Sequence, residues 1–258
     1  MGKTHSTTKH VFTLAHFRHV LRSGIRNGYK FISFSELAAH KRDDHLICCL
    51  RHDCDNDLTA AAAMASVERK LGVRATYFLM LRSAMYNLLS IPNAELVCRI
   101  IRNGHYIGLH FDEQRFPGMT LKQIAEYVDR ERAMLHQEFR VPVDVVSFHQ
   151  PSRRALANQA KIHCLNTYDR RDMAGVDYLS DSNTVWDEGC PCDLFRERRH
   201  RRLQLLIHPE WWSKEEVNLL GKWKEMLRNN FELTQRSLLT RERTYTKRQE
   251  IAFKSLKK

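Results

Sequence analysis

A chain of 258 residues with 43% hydrophobic content is long enough for one large α/β domain or two small ones, and has the apolar residues to build a core. No run approaches the ~18 apolar residues of a membrane span, and seven cysteines, an odd number, do not read as a disulfide framework. The net charge of +12 lies at the ends: residues 1–30 carry six Lys/Arg and no acid, and residues 222–258 carry eleven Lys/Arg against four Glu, so the body between is near neutral and a nucleic-acid function rests on charge alone.

Met1 to His10 is polar, without the apolar stretch of a signal peptide, so a flexible N-terminus and a reducing cytoplasm are the expectations. Val11 to Asn27 has helical apolar spacing, with Gly28 as a C-cap. Tyr29 to Phe34 reads as a short strand, and Ser35 as the cap of a helix from Glu36. Leu46-Ile47-Cys48-Cys49-Leu50 is a buried strand whose two cysteines face opposite ways as core thiols. Helices are predicted over 58–71, 92–102 and 121–139, with strands at 75–80, 106–110 and 145–149. A helix near Arg153, a strand from Ile162 to Tyr168 and an irregular stretch over 170–200 follow. Cys190-Pro-Cys192 is one residue tighter than the usual Cys-x-x-Cys site and is assigned no metal. A last buried strand runs into His208, and Ser213 is expected to cap a helix from Lys214 to about Leu239 that completes the barrel wall. Strands alternating with helices of this length mean a parallel sheet with crossover helices, closed or nearly closed into a barrel.

The chemistry concentrates where these strands end. The strand at 46–50 runs into Arg51-His52-Asp53-Cys54-Asp55, and three others run into His110, His149 and His208. Charge at a buried strand end needs a partner, so the pattern points to a metal, a catalytic base or an ion pair on the carboxyl edge of a parallel sheet. Asp53 and Asp55 share a strand face, which lets one hold a metal while the other takes a proton; pairing with Arg51, or capping of the next helix, is the structural alternative.

Six segments in order resemble the polysaccharide deacetylase family, the NodB-homology or carbohydrate esterase family 4 group, in its divergent Arg-His-Asp-x-Asp branch. They are Leu50 to Asp55, Gly72 to Phe78, Gly104 to His110, Ser147 to Pro151, Ser180 to Asn183 and His208 to Trp212. The resemblance implies a distorted (β/α) barrel over residues 11–240, a divalent metal, usually zinc, and hydrolysis of acetyl from N-acetylated sugars. It implies Asp53 as general base, Asp55 and His110 as metal ligands and His208 as general acid. Asp181 would orient His208 or bind substrate hydroxyls, and Trp186, Trp211 and Trp212 would line the sugar site.

Two family positions are altered. The second metal histidine is replaced by Gln114, a poor zinc ligand, and the third motif reads His149-Gln150-Pro151-Ser152, without the arginine that orients the base. His149 is the favoured replacement ligand and Asp112 its rival, leaving a fourth position for water; His105 is assigned a structural role. Two rival functions stay open: hydrolysis of another amide or an O-acetyl ester, and a non-catalytic barrel holding an acidic glycan. The basic tail at 241–258 is expected to be mobile and to meet an anionic polymer or membrane surface.

Overall fold

The computed structural model describes residues 11–37, 45–115, 117–157 and 162–249; the expectations for residues 1–10 and 250–258 lie outside them. In chain order the elements are α1 (Leu14–Arg26), β1 (Lys30–Phe31), α2 (Phe34–Leu37), β2 (Ile47–Cys54), α3 (Leu58–Leu71) and β3 (Thr76–Leu79). There follow α4 (Ile91–Arg102), β4 (Tyr106–Phe111), α5 (Leu121–Phe139), β5 (Val145–Phe148), α6 (Arg153–Leu156) and β6 (Leu165–Asn166). The chain continues through β7 (Asp177–Ser180), α7 (Pro191–Glu197), β8 (Arg202–Ile207) and α8 (Leu219–Arg241).

Every paired strand is parallel, in the order β6-β5-β4-β3-β2-β8-β7. β8 takes one edge of β2 from Ile47 to His52, while β1 and β3 divide the other edge. The described strands β6 and β7 end the order without pairing to each other, so the sheet is the expected distorted (β/α) barrel.

All eight residues of β2 are buried, as a central strand covered on both faces requires. Its alternation sorts the two sides. Cys48, Leu50 and Cys54 join the large core with Phe17 of α1 and Ala61 and Met64 of α3. Ile47 and Cys49 join a smaller core with Ile32, Phe34, Phe78 and Val145. The two adjacent cysteines therefore face opposite ways, and the side of Cys49 continues through Arg51 and Asp53 toward Asp55.

The helices stop where their caps dictate. Asp57 accepts from the Thr59 and Ala60 amides at 2.8 and 2.9 Å to open α3, and left-handed Gly72 closes it. Several boundaries differ from expectation. Ser33, not Ser35, caps α2: its amide donates to Glu36 while its hydroxyl accepts from the Glu36 amide, a reciprocal Ser-x-x-Glu cap that shortens the strand before it to Lys30–Phe31. Ser213 does not open the last helix. It bridges to Thr13, and Asn218 caps α8 by accepting from the Gly221 amide at 2.9 Å. Of α8 only Lys222, Met226 and Gln235 are buried, so it lies over the body as a surface helix and is not a barrel wall. The stretch at 170–200, expected to be irregular, contains β7 and α7.

Candidate functional site

The carboxyl edge of the sheet collects the chemistry. Asp53 lies in the last residues of β2 and His110 in β4, while Asp55, His149, Asp181 and His208 each stand one residue past β2, β5, β7 and β8. This is the edge at which parallel α/β sheets place their sites.

Asp55, His110 and His149 converge, each offering one ligand atom within 4.8 Å of the others. His110 Nε2 lies 2.9 Å from Asp55 Oδ1, and His149 Nδ1 lies 3.3 Å from Asp55 Oδ2. Asp55 Oδ1 is nevertheless buried with no hydrogen-bond partner among the described residues. A buried carboxylate oxygen left this way beside two imidazoles fits a divalent metal. On its other side His110 Nδ1 meets the buried Ser147 hydroxyl at 2.6 Å; with Nδ1–H donating to Ser147 Oγ, the Nε2 lone pair is left for the metal. Burial alone would raise the Asp55 carboxyl, but the adjacent His110 imidazole, and then His149, hold it well below the usual carboxylate range. Asp112 does not join this group; its carboxylate accepts from the Gln114 amide at 3.0 Å. Gln114 also stays outside, its amide nitrogen donating to Gln150 Oε1 at 3.2 Å, and Gln150 is held at φ 42°, an uncommon conformation for a side chain of this kind.

Asp53 is held from within its own strand. Arg51, fully buried, donates from Nε and Nη2 to the two oxygens of Asp53 at 2.8 and 2.6 Å. The guanidinium also donates to Thr167 Oγ1 and the Tyr168 hydroxyl, both at 3.1 Å, and lies over the rings of Phe78 and Tyr168. Burial would raise the Asp53 carboxyl, but Arg51 and then His110 keep it below its ordinary value, so it is charged at neutral pH. The pairing with Arg51 weighed from the sequence is therefore present and fixes Asp53 beside the metal group, His110 Nε2 lying 3.7 Å from Asp53 Oδ2.

His52 takes no part. It faces the helical side, where its Nε2 meets Glu68 of α3 at 2.5 Å. Tyr77 donates to the other Glu68 oxygen at 2.7 Å, and His105 Nδ1 accepts from the Ala75 amide while its Nε2 contacts the Ala65 carbonyl. His105 is thus a structural residue, and burial lowers its pKa.

On the opposite side of β2, His208 Nδ1 donates to Asp181 Oδ1 at 2.7 Å. Asp181 is fully buried, accepts also from the His208 amide, and accepts from the Trp212 indole nitrogen at 2.8 Å. Its oxygens are committed to this arm, so the expectation that it binds substrate hydroxyls is set aside. Burial would lower the His208 pKa, but Asp181, helped by Asp55 and Glu210, pushes it up to about 10.

Trp186 and Trp212 are corrections of a different kind. They are 3% and 2% exposed and pack on Phe12, so neither has a face to offer a sugar. Trp211 is partly exposed and meets Trp223 of α8 edge to face. Glu210 went unnoticed in the sequence: it is buried, accepts from Asn56 at 2.7 Å through Oε1, and leaves Oε2 without a hydrogen-bond partner among the described residues. Burial and the nearby Asp55 push its carboxyl up to about 8. Nothing but its place beside His208 marks it in the sequence, whereas Arg51 and Ser147 each stand two residues from a site residue on the same strand face.

No protein-family model matches the chain, and no curated protein matches it. Solved structures do. A peptidoglycan deacetylase from Bacillus subtilis matches at 15% identity and TM-score 0.41, over 75% of this chain and 85% of that one. A Streptococcus pyogenes deacetylase in complex with acetate matches at 11% identity and TM-score 0.45, over 81% and 88%. A carbohydrate esterase family 4 pseudoenzyme from Bacillus anthracis matches at 17% identity and TM-score 0.45, over 73% and 62%. These are likenesses of fold. The chain's own sheet and edge define a (β/α)-barrel protein with an Asp-His-His group able to hold a metal.

Proposed function

We propose that this chain is a metal-dependent hydrolase that removes acetyl groups from an N-acetylated sugar or glycan. The observation that carries the reading is one sheet edge with a clamped, charged Asp53 between an Asp-His-His group and an Asp-held imidazole. Asp55, His110 and His149 would hold a divalent metal, most fittingly zinc, which when bound polarises an acyl carbonyl and lowers the pKa of water. Asp53 accepts the proton of the attacking water as its oxygen bonds to the acetyl carbon. Arg51 keeps that carboxylate ionised and fixed in orientation. His208, its Nδ1–H held by Asp181, gives the Nε2 proton to the sugar nitrogen as the C–N bond breaks, leaving acetate and a free amine.

The test is acetate release from N-acetylglucosamine oligomers by protein reconstituted with Zn(II), alongside two variants. Asp53→Asn should lose at least ~100-fold in turnover, the lower range for a general base, while retaining metal by elemental analysis. His208→Ala should lose similarly on the amide yet recover on an activated acetate ester, whose leaving group needs no proton. Folded protein that takes up no metal and releases no acetate would favour the binding-barrel reading.

A further inference from the structure

A second cluster of ligand-type side chains lies away from the sheet edge. His16 of α1 and Cys190 and Cys192 at the start of α7 place their ligand atoms within 4.8 Å of one another. His16 Nε2 lies 3.3 Å from Cys190 Sγ and 3.9 Å from Cys192 Sγ. In a tetrahedral zinc site, Zn–S near 2.3 Å and Zn–N near 2.0 Å put sulfur and nitrogen about 3.5 Å apart. The observed separations straddle that edge length.

The backbone holds the three together independently of any ion. Ser23, two helical turns after His16 and on the same face of α1, donates its hydroxyl to the Cys192 carbonyl at 2.8 Å. Pro191 starts α7 between the two cysteines, and the Cys192 amide donates to Cys190 Sγ at 3.4 Å. All seven cysteines are free, and Cys192 is buried while His16 and Cys190 keep partial exposure, which leaves a way in.

We infer that His16, Cys190 and Cys192 form a metal site for a soft, thiophilic ion, Zn(II) or Cu(I), separate from the Asp55 group. Two sulfurs and one imidazole select these ions over magnesium, calcium or manganese, which take oxygen. Three protein ligands satisfy Cu(I), and for Zn(II) they leave a fourth position for water. The spacing of one residue between the cysteines does not forbid this, since the third ligand comes from α1 and not from the loop. Binding would brace the acid arm as well: the His16 ring stacks on Trp212, whose indole nitrogen donates to Asp181, the partner of His208.

The experiment uses full-length His110→Ala protein, in which the first group is broken, kept reduced and anaerobic, with Co(II), Zn(II) and Cu(I) as separate probes. The expected result is one equivalent of Co(II) with a near-ultraviolet sulfur-to-cobalt charge-transfer band, displaced by Zn(II), or one equivalent of tightly held Cu(I). Adding Cys190→Ser and Cys192→Ser should abolish the band, and adding His16→Gln instead should keep a weakened band with affinity reduced about 100-fold or more. Circular dichroism verifies that each variant is folded. A folded, reduced His110→Ala protein with neither ion bound would overturn the inference, as would a band that survives both serines. So would closure of Cys190 and Cys192 into a disulfide by added diamide, in a separate assay, at a rate that bound metal does not slow.

Discussion

Asp53 and His208 differ in what their surroundings ask of them: one carboxylate is held charged and one imidazole is held protonated, each by a buried partner that cannot reach solvent. For His208 the consequence is measurable as stability. Its pKa in the folded protein, about 10, lies above the unfolded value of 6.5. The stabilisation from the His208–Asp181 pair is therefore fully present below pH ~6.5 and disappears as pH rises through about 10. Denaturant unfolding of metal-free protein across this window should show Asp181→Asn most destabilised relative to wild type at the acid end, with the gap narrowing toward pH 10. A gap independent of pH would assign the Asp181 contribution to its bonds with Trp212 and the His208 amide. The metal group offers a sharper residue-level contrast. His149→Ala should weaken metal binding about as much as His110→Ala, whereas Asp112→Ala, whose carboxylate accepts from the Gln114 amide and stays outside the group, should leave it nearly intact. Isothermal titration with Zn(II) decides it, and the reverse ranking would hand the third position to Asp112.

At the scale of elements, β3 and β4 reach Asp53 through packing. Gly108 of β4 faces the Phe78 ring so closely that an added Cβ would lie 2.6 Å from it. The same ring carries the Arg51 guanidinium at 5.3 Å from its centroid. Gly108→Ala should therefore push Phe78 against Arg51, costing ~1–3 kcal/mol of stability as overpacking does. It should also lower turnover more than metal affinity, because the strain arrives at Asp53 and not at Asp55; equal losses in both, measured by kinetics and metal titration, would contradict that route. The strand ends carrying His110, His149 and His208 were legible because apolar runs stop sharply at a polar residue. Arg51 was legible as a partner of Asp53 but not as a buried one, since same-face spacing does not say which neighbours enclose a side chain. β7 escaped notice because it is a four-residue strand, half exposed, among Gly, Asp and Pro. The tryptophans misled for a simple reason: an indole beside a site histidine looks the same in sequence whether it faces a ligand or the core. His16 could not be joined to Cys190 without the fold, being 174 residues away from it.

For the whole molecule, the sheet order keeps the Arg51–Asp53 pair local and the Asp55, His110 and His149 group dispersed. Arg51 and Asp53 are two residues apart in one strand, whereas Asp55, His110 and His149 come from β2, β4 and β5, which meet only when the sheet is assembled. Local contacts cost little loop closure and form early, while contacts between distant segments come late. The order expected on refolding is that Arg51 pairs with Asp53 when β2 and its immediate neighbours form, and that Asp55, His110 and His149 meet near the end. An ion whose ligands are apart in the transition state cannot accelerate passage over it and acts only on the way back. Stopped-flow folding with and without Zn(II), on protein lacking Cys190 and Cys192, should show an unchanged refolding rate and an unfolding rate slowed by nearly the full equilibrium gain. A metal held by Asp55, His110 and His149 would be a latch on the finished fold, and the protein's lifetime under denaturing stress would then track metal supply even where its rate of folding does not.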